Sequence, residues 1–289
     1  YEYLVQNIYV MVFSNGARVQ TDLSFFSPND TSAPITNYRN KADQAGNTQS
    51  SGTVSFGAIS GSNLTICAIA NVGISNTSIT RAEIGDEVPI DVRTLDAVKT
   101  YKELQELSIR LSGANINRGA SFMMTGEVIA NLAANQTTTV TIPLKRADSK
   151  ITFNVKAENP DPTKYSDFIF LPGKWRVVNA PLKSYILPHT FNAGDTLTED
   201  LDAASAKEDF YTVTEANAPQ FEVVGNNQGS FTFYMYENLK APEALISETG
   251  NAGYALRELQ QKNTPTETDV VVSGQQYING DYVNAPKDA

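Results

Sequence analysis

One cysteine, one histidine and one tryptophan are spread over 289 residues, and each scarcity closes off a class of explanation. A lone cysteine, Cys67, cannot make an intrachain disulfide, so the fold has to be held by its core, which a chain of this length can supply. Cys67 sits in the apolar run Leu64 to Ala70 and reads as a small buried hydrophobe. One cysteine and one histidine are too few for a zinc centre. A serine triad would have to use His189, and no Gly-x-Ser-x-Gly elbow accompanies it. No run of about eighteen apolar residues exists to span a bilayer. Nor is a leader visible, since Tyr1 to Val5 already reads as a strand. Basic side chains are outnumbered, 22 Lys and Arg against 32 Asp and Glu, for a net charge of −10. With no Lys/Arg cluster to neutralise phosphates, this balance argues against nucleic-acid binding and for a soluble surface.

What is present is strand-forming. Apolar residues make up 41% of the chain and charged residues 19%, a folded and globular mix. Thirteen Tyr and thirteen Phe carry the aromatic content beside frequent Thr, Asn, Val and Ile, which favours strands and turns. The expected class is all-β, two tandem β-sandwich domains with one helix in the first. Strands are expected at Ile8 to Phe13, apolar on both faces, and at Val54 to Ile59, Leu64 to Ala70, Phe122 to Met124, Ala130 to Leu132 and Thr138 to Leu144. Later ones fall at Ile151 to Val155, Phe168 to Leu171, Trp175 to Asn179, Ser184 to Leu187, Phe221 to Val224 and Ser230 to Tyr236, with a weaker signal at Val270 to Val272. Residues 27–52, rich in Ser, Asn, Asp, Gly and Thr, read as a long exposed loop. Val98, Tyr101, Leu104, Leu107 and Leu111 recur at helical spacing and predict one helix from an N-cap at Thr94 to Leu111, closed by Gly113. The domain boundary is placed near residue 147, giving domains 1–147 and 148–289, at the basic-polar hinge between Val140–Leu144 and Ile151–Val155.

Candidate chemistry is sparse. Gly225 to Gly229 is a hairpin-type turn, not a phosphate cradle. The acidic segment 195–209 reads as solvated loop; a hydrolase would need two of its carboxylates facing each other across a cleft, and calcium would need several oxygens on one ion. No catalytic, cofactor or metal residue is assigned. Exposed tyrosines such as Tyr254, Tyr277 and Tyr282 keep a glycan-binding alternative open, since such rings stack on sugars.

Six segments, in order, resemble the fimbrillins of Bacteroidales, the subunits of type V pili. They are Ile8–Phe13 followed by Asn15-Gly16, Ile69–Gly73, Phe122–Glu127, Leu144–Lys150, Trp175–Pro181 with Ser184–Leu187, and Phe233–Asn238. Together they cover most of residues 3 to 240. The resemblance implies transthyretin-like sandwich domains and a lipoprotein precursor exported to the outer membrane surface. It further implies removal of an N-terminal strand by a trypsin-like protease, and polymerisation by donor-strand exchange with neighbouring subunits. This chain would then begin just after such a cut, without the lipobox cysteine. Ile8, Val10, Val12 and Phe13 become the candidates for forming or flanking the assembly groove. The family's C-terminal strands are not recognisable, and Tyr277 to Ala289 is too polar for a donor. On this reading the chain is a non-catalytic subunit of a cell-surface fimbrium that supports adhesion. The alternative is a tip or surface lipoprotein adhesin that binds glycans.

Overall fold

The structure, a computed structural model, describes residues 4–40, 50–73, 87–88, 90–111, 122–156, 158, 163, 169–178, 180–187, 210–211, 217–220, 222–225, 227–236, 269–278 and 281–284. The chain divides into two compact units, Tyr1–Asp148 with Lys183–Ala193, and Ser149–Leu182 with Gly194–Ala289.

In the first unit the strands are β1 (Ile8–Ser14), β2 (Ala17–Val19), β3 (Phe25–Phe26), β4 (Thr36–Arg39), β5 (Ser51–Thr53), β6 (Gly61–Ala70), β7 (Glu87–Val88), β8 (Ser108–Leu111), β9 (Met124–Leu132) and β10 (Lys145–Arg146). Its main sheet runs β10-β9-β6-β1-β2, with β3 also on β1. β1 is apolar at almost every position because both of its faces are covered. Tyr9, Met11 and Phe13 lie opposite Ile69, Cys67 and Thr65 on one face, while Val10 and Val12 lie opposite Ala68 and Ile66 on the other. Each such buried side chain contributes roughly 1.5–3 kcal/mol relative to exposure. Asn15 and Gly16 both take positive φ, 48° and 79°, as a two-residue hairpin turn requires.

Helices α1 (Val92–Ala97) and α2 (Tyr101–Gln105) cover the Tyr9 face. The Phe13 and Tyr101 rings meet edge to face at 5.6 Å. Tyr9 Oη donates to Asp96 Oδ1, and Arg18 donates to Tyr9 Oη at 2.8 Å and to the Leu95 carbonyl at 2.6 Å. These helices replace the single helix expected over Thr94–Leu111. The Asp91 carboxylate accepts from Thr94 N at 2.7 Å and caps α1 three residues before the expected start. Val98 then turns extended, and Thr100 and Glu103 form a capping box that starts a new helix. Leu111 belongs to β8, so the helical spacing ran across a break and into a strand.

In the second unit β11 (Asp148–Lys156), β12 (Ile169–Val178) and β13 (Ala180–Pro181) come first. β14 (Lys183–Tyr185) belongs to the first unit and pairs with β8, Ser184 opposite Ile109. β15 (Phe210–Tyr211), β16 (Glu222–Gly225), β17 (Gln228–Tyr236), β18 (Asp269–Ile278) and β19 (Asp281–Asn284) complete the second unit. Its sheets are β11-β17-β16, β12-β18-β19 and the pair β13-β15. Trp175 stacks on Phe231 at 4.4 Å, and Phe231 on Phe153 at 5.1 Å.

Several strand limits differ from expectation. Phe122–Met124 and Ala130–Leu132 flank or end one strand, β9, whose polar middle hid its continuity. The described parts of the two expected strands at 168–171 and 175–179, Ile169–Leu171 and Trp175–Val178, likewise fall along β12, interrupted by an irregularity between Pro172 and Trp175. The expected loop 27–52 contains the β4–β5 pair. Residues 54–57 and 137–144 carry no strand although their side chains alternate as strands do.

Candidate functional site

The face of the main sheet opposite the helices carries the unit's principal apolar cluster: Val5, Val10, Val12, Phe26, Ala33, Ile35, Leu64, Ile66, Ala70 and Met124. Two extended straps lie on it. Residues 54–58 bring Val54, Phe56 and Ala58 down onto the cluster, and residues 137–144 bring Val140, Ile142 and Leu144. All six are only partly buried, whereas Ser55, Gly57, Thr141 and Pro143 between them are exposed. That is the alternation of a strand with one face on a core.

The straps differ in what their backbones bond. The first is tied to Asp22, whose N–H donates to the Gly57 carbonyl at 3.1 Å and whose carboxylate accepts from Gly57 N at 2.6 Å. For residues 137–144, no backbone hydrogen bond to any described residue exists. This second strap is held at its end by β10, where Lys145 and Arg146 pair with Thr125 and Met124, and by Ala147 N donating to the Met123 carbonyl at 3.4 Å. It peels inward there, over Gly126. A Cβ at Gly126 would run into the Pro143 carbonyl oxygen, so only glycine admits this crossing.

The expected groove residues separate by face. Val10 and Val12 are buried in the cluster beneath the straps, and Ile8 packs against it, half-buried. Phe13 is buried on the opposite face, under Tyr101. The strap at 140–144 was expected as a strand and not as part of a site; its period of two with no ladder partner is the signal.

An amide clamp fixes the entry to β1. Asn71, at φ 63°, donates from Nδ2 to the Leu4 carbonyl at 2.9 Å and also to the Phe122 carbonyl, while its Oδ1 accepts from Gln6 N at 2.8 Å. Asn7 answers reciprocally, donating to the Val72 carbonyl at 3.0 Å and accepting from Val72 N at 2.8 Å. Three segments converge on two carboxamides, and the groups are paired inside the protein instead of by water.

Burial, reinforced by the Glu127 carboxylate, pushes the Cys67 thiol well above its ordinary range, so it is a poor nucleophile. Burial likewise raises Tyr9 and Tyr101, each with a carboxylate hydrogen-bonded to its hydroxyl. Among the described residues no three His, Cys, Asp or Glu side chains gather as metal ligands, and no helix is long and apolar enough to cross a membrane. His189, the acidic segment 195–209, Tyr254 and the side chains of Tyr277 and Tyr282 lie outside the described residues.

Comparison with known proteins bears on the same architecture. No curated protein matches the chain. Two solved structures of candidate cell adhesion proteins from Parabacteroides distasonis share the fold. One is 14% identical with a TM-score of 0.51, covering 98% of this chain and 70% of that one. The other is 15% identical with a TM-score of 0.50, covering 98% and 78%. A fimbrilin from Porphyromonas gingivalis aligns at 11% identity and a TM-score of 0.47, over 99% of this chain and 70% of that one. The family model of the major fimbrial subunit protein (FimA) matches residues 1–170. A strand-built chain with this match over more than half of its length belongs to the major fimbrial subunit family.

Proposed function

We propose that this protein is a structural subunit of a cell-surface fimbrium, built from two tandem sandwich domains and polymerised by insertion of a neighbouring subunit's strand into the first. One observation carries the reading: the 137–144 strap lies extended on the core with alternate side chains docked and its backbone unbonded among the described residues. An extended segment in that state offers a ladder edge above an apolar floor. An incoming strand would gain backbone bonds from the edge and side-chain pockets from the floor. Val10 and Val12 form that floor, Ile8 borders it, and Phe13 fixes the sheet from the helix side. The partners are other fimbrial subunits, and adhesion to host or bacterial surfaces follows from the fibre. Release of the site by proteolytic removal of an N-terminal strand, and attachment of a lipoprotein precursor to the outer membrane, complete the proposal.

The test is assembly of the full-length precursor with and without a trypsin-like protease, followed by SDS-resistant laddering and electron microscopy. Ladders and filaments that depend on cleavage are expected, together with their loss in Ile142→Asp, which puts a charge where a docked side chain sits. Cleaved protein that stays monomeric under all conditions refutes strand exchange.

A further inference from the structure

The main sheet ends on an edge that belongs to neither strap. β10 pairs only with Met124 and Thr125, so from Gly126 to Leu132 the outer edge of β9 has no partner strand among the described residues. Natural edge strands are blunted by lysine, proline or bulges, because every second residue presents its N–H and C=O outward. This stretch, Gly-Glu-Val-Ile-Ala-Asn-Leu, has neither lysine nor proline and a single charge. At its midpoint stands Ile129, 69% exposed, the most exposed large hydrophobic side chain among the described residues.

We infer that the β9 edge is an isologous interface, the site at which two copies of this chain pair antiparallel about Ile129. The open stretch sets the register: β10 blocks one end and the turn at Asn135 (φ 54°) the other, so the twofold axis falls on the midpoint. Ile129 then packs against Ile129 of the second copy. On the same face Glu127 lies opposite Asn131, and the two are complementary as they stand. The Asn131 Oδ1 atom already accepts from Asn63 N at 2.8 Å, leaving its NH2 to donate. Glu127 uses Oε2 for the Tyr101 hydroxyl, at 2.7 Å, leaving Oε1 to accept. Symmetry makes that contact twice, and no like charges meet. On the inner face Val128 opposes Ala130, large against small. The interface goes beyond strand insertion and centres on Ile129, on the face opposite the apolar cluster.

Sedimentation equilibrium of the full chain tests this, with Ile129→Lys beside the parent. The parent is expected to dimerise with concentration. I129K, which places two ammonium groups on the axis, is expected to weaken association roughly tenfold or more with an unchanged circular dichroism spectrum and melting curve. Directly opposed side chains sit about 5 Å apart at Cβ, so Ile129→Cys is expected to give a disulfide-linked dimer under mild oxidation. Ile59→Cys, at a residue 52% exposed but outside any strand, is the control expected to stay monomeric. A parent that remains monomeric, association indifferent to I129K, or linking of I129C no faster than of I59C overturns the proposal. SDS-resistant ladders report strand insertion separately, and I129K is expected to retain them while losing the dimer.

Discussion

Every non-glycine residue with positive φ among the described residues is an asparagine: Asn15, Asn37, Asn63, Asn71, Asn135 and Asn227. Asparagine tolerates the left-handed region better than other side chains and keeps a carboxamide to bond with. Asn71 uses that amide fully. Asn71→Ala is expected to cost roughly 2–4 kcal/mol, by leaving buried carbonyls unpaired and straining the backbone. Asn71→Gly should cost about 1 kcal/mol less because the strain disappears. Urea denaturation of both variants checks the order. The Asp91 cap gives a pH effect with a definite sign. The Thr94 N–H holds its carboxyl below the usual range in the folded state, so its contribution is present above the unfolded value near 4 and is lost as pH falls through the folded one. Asp91→Ala should lower stability by about 1 kcal/mol at neutral pH and flatten the acid limb of the stability profile. Cys67, 0% exposed and with its thiol raised, should react with a thiol reagent only at the rate of global unfolding, and promptly in denaturant.

At the level of elements the informative comparison is between β9 and the 137–144 strap. Both alternate apolar and polar residues, and only one is a strand. Side-chain period reports which face meets a core, whereas strand identity also requires a neighbour to bond, and the sequence carries no direct mark of that neighbour. The α1–α2 break is similar. Spacing marked the apolar stripe correctly at Val98 and Leu104, but the Thr100–Glu103 capping box, written in the same residues, outweighed continuity. Gly126 links the two elements. Gly126→Ala is expected to push the strap off β9 and cost roughly 1–3 kcal/mol, with faster amide exchange over residues 145–147 as the readout.

For the whole molecule, class was legible, and the candidate site only through β1. Strand-forming composition and both-face apolarity at β1 announced an all-β chain, and the motif order around Ile69–Gly73 and Phe122–Glu127 pointed to the fimbrial family that the match over residues 1–170 establishes. Val10 and Val12 were expected near the assembly site, and they lie in the cluster under the straps. Phe13 lies on the opposite face, under Tyr101, because alternate residues of a strand point to opposite sides. The return of β14 to β8 was beyond reach too, since pairing across that distance leaves no local trace.

That last feature governs time. Apart from the β1–β2 hairpin, the main sheet is stitched from distant partners: Val10 meets Ala68, and Leu64 meets Ala130. Closing such loops is the slow part of folding, which for sheets of this kind takes on the order of milliseconds to seconds. During synthesis β6 has no outer neighbour until β9 has emerged, and β8 waits longer still for β14. The first unit therefore stays open until residues 183–185 have been made, long after most of it has left the ribosome.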